Sequence, residues 1–215
     1  MKRPYILVLA GVNGAGKSSV AGEGLRKAGV PWFNPDTFAR ELATSTGRPL
    51  ETANADAWHE GVRRLDAAIS ARQDYAFETT LGGNTIAAKL RQAATSHDVV
   101  IWFCGLDSPE RHIARVRQRV RHGGHDIPEN KIRARWHSSI ANLIALLPHL
   151  SQLHVYDNSQ EAPPGSPVPD PHLLLFLDAG HIRYPDTPDA LRNTPDWAKP
   201  IMEAVLSLAE SGHTP

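Results

Sequence analysis

The chain is short of most features that settle a protein's class at once. One cysteine, Cys104, among 215 residues rules out an internal disulfide, and with it a stapled secreted scaffold; it points to a reducing compartment. Lysine plus arginine (23) cancels aspartate plus glutamate (23), so no long-range field draws in nucleic acid or an anionic membrane, and any anion site must be local. No apolar run approaches the ~20 residues of a membrane span. The run Tyr5–Ala10 behind Met1-Lys2-Arg3 imitates the start of a secretory signal, but it is short and passes directly into a glycine-rich loop. His122 and His125 flank Gly123-Gly124 without a cysteine or carboxylate cluster at metal spacing, which argues against zinc. There is no internal repeat. A cytoplasmic protein is expected, built as one domain over 1–215: a core at 1–159, a Pro/Gly/Ser-rich loop at 160–171, and a hairpin and helix at 172–215.

What is present is an alternation. Short apolar or aromatic runs at Tyr5–Ala10, 30–33, 75–77, 99–104 and 154–156 are separated by helix-length stretches at 17–27, 53–71, 85–94, Pro109–Arg121 and 128–147. Strand and helix in turn predict an α/β fold with a mostly parallel sheet covered on both faces. Asp107-Ser108-Pro109 and Asp126-Ile127-Pro128 read as helix starts, and the linking Gly123-Gly124 suggests a lid. Asp178-Ala179-Gly180 between 173–177 and 181–184 predicts a C-terminal hairpin, followed by a helix at 201–209.

The strongest motif is G-x-x-x-x-G-K-[ST], met by Gly11, Gly16, Lys17 and Ser18 between a predicted strand and a predicted helix. Such a loop curls its backbone N–H groups around a phosphate at a helix N-terminus. Here the cradle would be Asn13, Gly14, Ala15, Gly16, Lys17, Ser18 and Ser19; Lys17 would reach the β- and γ-phosphates of ATP, and Ser18 would ligate Mg²⁺. The P-loop leaves the use of the nucleotide open. The third run ends in Glu78-Thr79-Thr80 rather than in the metal-holding aspartate of GTPases and motor ATPases, and no guanine-reading motif is evident, so a small kinase is favoured.

Asn34-Pro35-Asp36 follows the second run and falls on the same carboxyl edge as the phosphates. Asp36 either accepts the proton of an attacking hydroxyl or caps the helix that begins near Thr37. Glu78 and Thr80 are placed to line an acceptor pocket. Arg111, Arg115 and Arg119, four apart, share a helix face, so one or two could meet transition-state oxygens. Asp157-Asn158-Ser159 emerges at the same edge, where Asn158 either reads a base or belongs to a polar turn. Glu60, Arg63 and Arg64 read as a solvated helix face.

Taken in order, Gly11 to Ser19, Asn34-Pro35-Asp36-Thr37-Phe38, Phe77-Glu78-Thr79-Thr80-Leu81, Arg115 with Arg119, Gly123-Gly124-His125-Asp126-Ile127-Pro128, and Tyr156-Asp157-Asn158-Ser159 resemble the zeta-toxin family of P-loop kinases. The resemblance implies ATP-dependent phosphorylation of a sugar hydroxyl on a nucleotide sugar such as UDP-N-acetylglucosamine. It implies Lys17, Asp36, Arg119 and Arg133 (or Arg135) as catalytic residues, with Asp36 the base and the arginines on the γ-phosphate. It also implies Glu78 and Thr80 as substrate ligands, Asn158 and the loop as nucleotide ligands, and an antitoxin as a partner in some members. Zeta toxins carry an arginine where this chain has Gly82, so an anchoring charge is missing and the acceptor stays open: a nucleotide sugar, or a nucleoside, sugar acid or dinucleotide. A binding module that holds ATP without transfer is the other alternative. The fold expected is a five-stranded parallel core of order 2-3-1-4-5 with helices on both faces, a helical lid near 120–128 and the C-terminal hairpin.

Overall fold

The computed structural model describes residues 3–18, 25, 29–162 and 169–210. Its elements are β1 (Tyr5–Ala10), α1 (Pro35–Thr46), α2 (Leu50–Ala71), β2 (Tyr75–Thr79), α3 (Asn84–Ala93), β3 (Asp98–Gly105), α4 (Pro109–Arg121), α5 (Glu129–Leu146), β4 (Gln152–Asp157), β5 (His172–Asp178), β6 (His181–Tyr184), α6 (Pro188–Arg192) and α7 (Lys199–Glu210). The predicted helix at 17–27 lies mostly outside the described residues, although Lys17 and Ser18 are already helical.

The strands form one sheet of order β2-β1-β3-β4-β5-β6. The first four are parallel and the last two antiparallel. The predicted parallel order holds, with one correction. The run at 30–33 contributes only a single bridge, Phe33 to Phe77, outside β2. Phe33 takes two ladder bonds, from its N–H to Ala76 O and from Glu78 N–H to its own carbonyl, each 2.9 Å. Pro31 has no N–H to extend that ladder and Pro35 opens α1, so the strand cannot lengthen in either direction. The hairpin, expected from its turn, joins the same sheet beside β4. Ala179 (φ 46°) and Gly180 (φ 74°) form a two-residue turn with both residues left-handed, the twist that suits a hairpin.

Strand alternation builds the core. Ile6, Val8, Ala10, Ile101, Phe103, Leu153, Val155, Leu175 and Leu177 face α3, α5 and α7, meeting Leu90, Leu143, Leu146, Ile201 and Val205. Leu7, Leu9 and Ala76 face the other way with Leu25. Trp197 lies flat on the end of β3: a Cβ at Gly105 would fall 2.2 Å from its ring. Register then fixes the working edge. Ala10 pairs with Thr79 and Phe103, and Gly105 with Asp157, so the chain leaves β1, β2, β3 and β4 at one level. Among the described residues, no helix is long and apolar enough to cross a membrane.

Candidate active site

The loop after β1 is fixed from beneath before any ligand is considered. The Ala15 carbonyl accepts from Asn158 Nδ2 at 2.9 Å and from Cys104 Sγ at 3.0 Å. The Asn13 carbonyl, 2.9 Å from His112 Nδ1, can only accept, so that ring nitrogen carries the proton. Burial pushes His112 down to about 4 and the Cys104 thiol up to about 12, leaving both neutral supports under the loop. Gly16 has φ 84°, and a Cβ there would stand 2.4 Å from Asn158 Nδ2. The asparagine therefore braces the loop's underside; the structure does not bring its side chain to a base-reading position, because that amide is spent on Ala15.

Lys17 and Glu78 are each about nine-tenths buried and pair at 3.4 Å. Glu78 also accepts from Ser18 Oγ at 3.0 Å and from Asn34 Nδ2 at 2.8 Å. Asn34 has a second task, because its Oδ1 accepts from Thr37 N–H at 3.1 Å and caps α1. Asp36 is thereby relieved of the capping job. Its carboxylate is exposed and stands 3.7 Å from Arg119 Nη1. Arg119 Nη2 donates to His125 O at 3.0 Å, while its buried Nε has no partner.

Two cavities meet at this point. One, about 470 Å³, is lined by Gly14, Gly16, Ser18, Arg115 and Arg119. The other, about 730 Å³, is lined by Phe77, Thr80, Trp58, Ile86, Lys131 and Arg135. Asn13, Lys17, Asn34, Asp36, Asn54, Glu78 and His125 border both. His125 reaches across from the segment between α4 and α5, its Nε2 3.2 Å from Asn54 Nδ2 on α2. That segment, expected as a helical lid, is a loop from 122 to 128, anchored by Ile127 in an apolar cluster with Val12, Ile113 and Val116.

The arginines separate by partner. Arg111 is tied to Asp107 and Glu161, Arg117 to Glu129, and Arg115 donates to the carbonyl of Asn158 at 2.8 Å. Arg133, expected in the site, lies outside both cavities and pairs with Glu110 at 2.5 Å on the exposed surface. Its neighbour Arg135 lines the larger cavity and donates to Asn13 Oδ1 at 2.7 Å. Thr80 lines that cavity too. Ser19 lies outside the described residues. Glu60 accepts from Arg63 and Arg64 outside the lining of both cavities, and those bonds hold Glu60 down to about 2. Trp58 is the member that no motif marks; Asn34 and His125 belong to sequence motifs but carry no role there, and Arg135, the alternative to Arg133, is the arginine the cavity contains.

A protein of Haemophilus influenzae named only as uncharacterised is 27% identical over 127 residues, 59% of this chain and 88% of that one. Among solved structures, the chain resembles a protein from Chloroflexus aurantiacus described provisionally as a kinase (15% identity, TM-score 0.52, 63% of this chain and 78% of that one). It also resembles the AvrRxo1-ORF1:ORF2 complex solved with ATP (16%, TM-score 0.61, 94% and 64%) and the PezAT toxin–antitoxin system of Streptococcus pneumoniae (15%, TM-score 0.52, 73% and 68%). These likenesses are of fold: a P-loop kinase-type sheet. The family model described as AAA domain, AAA_33, matches residues 6–143, from β1 through most of α5, and the chain belongs to that family.

Proposed function

We propose that the chain is a kinase that transfers the γ-phosphate of ATP to a hydroxyl of a small metabolite. The observation that carries this reading is the junction itself: Asp36 and Lys17 border both a P-loop cavity and a second, larger, partly apolar one. A nucleotide holder needs the first cavity only.

On this reading the triphosphate lies along Gly14 to Ser18, with Lys17 and the guanidinium of Arg119 at its outer end. The acceptor occupies the larger cavity with one hydroxyl at Asp36. The carboxylate takes the hydroxyl proton as the oxygen bonds to the γ-phosphorus; the bond from that phosphorus to the bridging oxygen breaks, and ADP leaves. Ser18 Oγ and Glu78 are adjacent hard oxygen donors, the type of set that holds Mg²⁺ beside phosphates, where the ion neutralises phosphate charge. Lys17 pairs with Glu78 and Arg119 with Asp36, so both cations are held at the site. The His125 bridge to Asn54 restricts water at the junction.

For the acceptor, the likeness of motifs to zeta toxins supports a nucleotide sugar such as UDP-N-acetylglucosamine, and the PezAT and AvrRxo1 complexes make a protein antitoxin a reasonable partner to test. The test is mass-spectrometric: ATP-dependent gain of one phosphate in a panel of nucleotide sugars and in cell-extract metabolites. Asp36→Asn should lower turnover at least 100-fold with ATP affinity within about 3-fold. Undiminished turnover in that variant would overturn the reading.

A further inference from the structure

The larger cavity has two chemically distinct ends. Along α2, the lining residues Asn54, Ala55, Trp58, Gly61 and Val62 fall three or four apart and so share a helix face. Trp58 is 46% exposed, the one large apolar side chain so open among the described residues. An exposed indole beside Val62 and Ile86 offers a flat apolar platform.

The other end is cationic and rigid. A Cβ at Gly82 would fall 2.8 Å from Arg135 Cγ, so the stem of that arginine lies on the bare glycine. The turn beneath is locked by the helix that carries Arg135: Ser138 Oγ donates to Gly82 O at 2.9 Å and Asn142 Nδ2 to Leu81 O at 2.8 Å. Leu81 is held at φ 55°, a conformation a leucine adopts only when its surroundings dictate it. Arg135 makes no ion pair among the described residues, and its side chain bonds only the Asn13 amide oxygen. Burial lowers its pKa, and the charge of the Asp36 carboxylate offsets part of that lowering. Of the acids on the same cavity, Glu78 is engaged with Lys17, Ser18 and Asn34 and Asp126 with the Ile127 N–H, while Asp36 pairs with Arg119 at 3.7 Å and also acts on Arg135 through its charge without an ion-pair contact. Glu51 belongs to the Trp58 helix, two turns away from it.

We infer that Trp58 and Arg135, with Lys131 beside the latter, are the specificity-determining residues for the acceptor, which carries an aromatic ring seated on Trp58 and a phosphate bound by Arg135 and Lys131. A cavity of about 730 Å³ accommodates both groups in one molecule. The inference rests on the kinase reading for the identity of this cavity as the acceptor site. It also explains why position 82 is glycine: any side chain there displaces the guanidinium.

Binding without turnover tests it, with the P-loop first saturated by a non-hydrolysable ATP analogue and Mg²⁺ so that probes meet only the second cavity. Calorimetric titration would use the four nucleoside monophosphates, the corresponding nucleosides and ribose 5-phosphate. At least one nucleoside monophosphate should bind 10-fold or more tightly than its nucleoside and than ribose 5-phosphate. Trp58→Ala should weaken that nucleotide at least 10-fold and leave ribose 5-phosphate unchanged, with Trp58→Phe within 3-fold of the parent. Arg135→Gln should remove the advantage of the phosphate and leave the nucleoside unchanged; Gly82→Ala should do the same without touching the charge, and Lys131→Ala should do so in part. If no monophosphate outbinds both of its halves, or if Trp58→Ala weakens ring-free and ring-bearing probes alike, the inference fails. That outcome is separate from the Asp36→Asn result, which is read from turnover and stands or falls independently.

Discussion

At position 36 the same aspartate could have served the helix or the chemistry, and its neighbour decides which. Asn34 supplies the cap, so the Asp36 carboxylate is left at the cavity junction beside Arg119. Local motifs of this kind were legible because a few adjacent residues define them: Lys17, Ser18, Asp36 and Glu78 all lie where the loop and strand-end patterns place them. Arginines on helices are a different matter. Arg133 and Arg135 are two residues apart, roughly 200° around a helix, so an uncertainty of that size in register exchanges the surface for the site. Arg119→Ala is expected to lower kcat about 100-fold or more, and Arg133→Ala to stay within 2-fold of the parent, as steady-state kinetics with any acceptor found will show. His112 supplies a second test. Its folded pKa is depressed from 6.5 to about 4, so its contribution to stability is complete above pH 6.5 and is lost as pH falls through 4. The unfolding free energy from urea denaturation should drop across that window by an amount on the order of 3 kcal/mol, and His112→Asn, whose amide nitrogen takes the place of Nδ1 as donor to Asn13 O, should flatten the slope.

Elements were legible where their ends carry chemistry. Pro109–Arg121 was read to the residue because Ser108 caps it, accepting from Arg111 N–H, with Pro109 in the first turn. The similar pattern at Asp126-Ile127-Pro128 also marks a helix start, since α5 begins at Glu129, but without a side-chain cap: Asp126 accepts from the next backbone N–H instead. The hairpin was legible from its turn, but its attachment to β4 was not, because edge pairing depends on which strand is left uncovered and not on the turn. The short helix α6 is capped by Thr187, whose side chain accepts from Ala190 N–H. One element joins fold and site directly. Replacing Asn34 by Ala removes both the α1 cap and a donor to buried Glu78, so a loss of about 1–3 kcal/mol is expected in chemical denaturation, together with weaker Mg²⁺-dependent nucleotide binding. Asn34→Asp restores the cap, yet sets a second carboxylate against Glu78, so it should recover less than the full stability.

Across the whole molecule, the alternation of strand and helix predicts a mostly parallel sheet, while the order of its strands comes from the resemblance to P-loop kinases. The second cavity did not follow, because its wall depends on which face α2 turns inward and on the contact of α5 with the 81–83 turn, neither of which any local pattern encodes. The segment after residue 143 falls outside the family match, yet Trp197 seals the end of β3 and α7 completes the core, so the tail belongs to the packing of the sheet.

The lone thiol of the chain sits under the phosphate cradle, donating to the same carbonyl that Asn158 holds. A reagent reaches it only when the cradle lifts, and burial keeps it protonated until then. Cys104 is thus a chemical clock for opening of that loop. Its alkylation rate should be low in the native protein, lower still with ATP and Mg²⁺, and fast in urea; a rate indifferent to nucleotide would mean that the cradle and the sheet beneath it breathe separately.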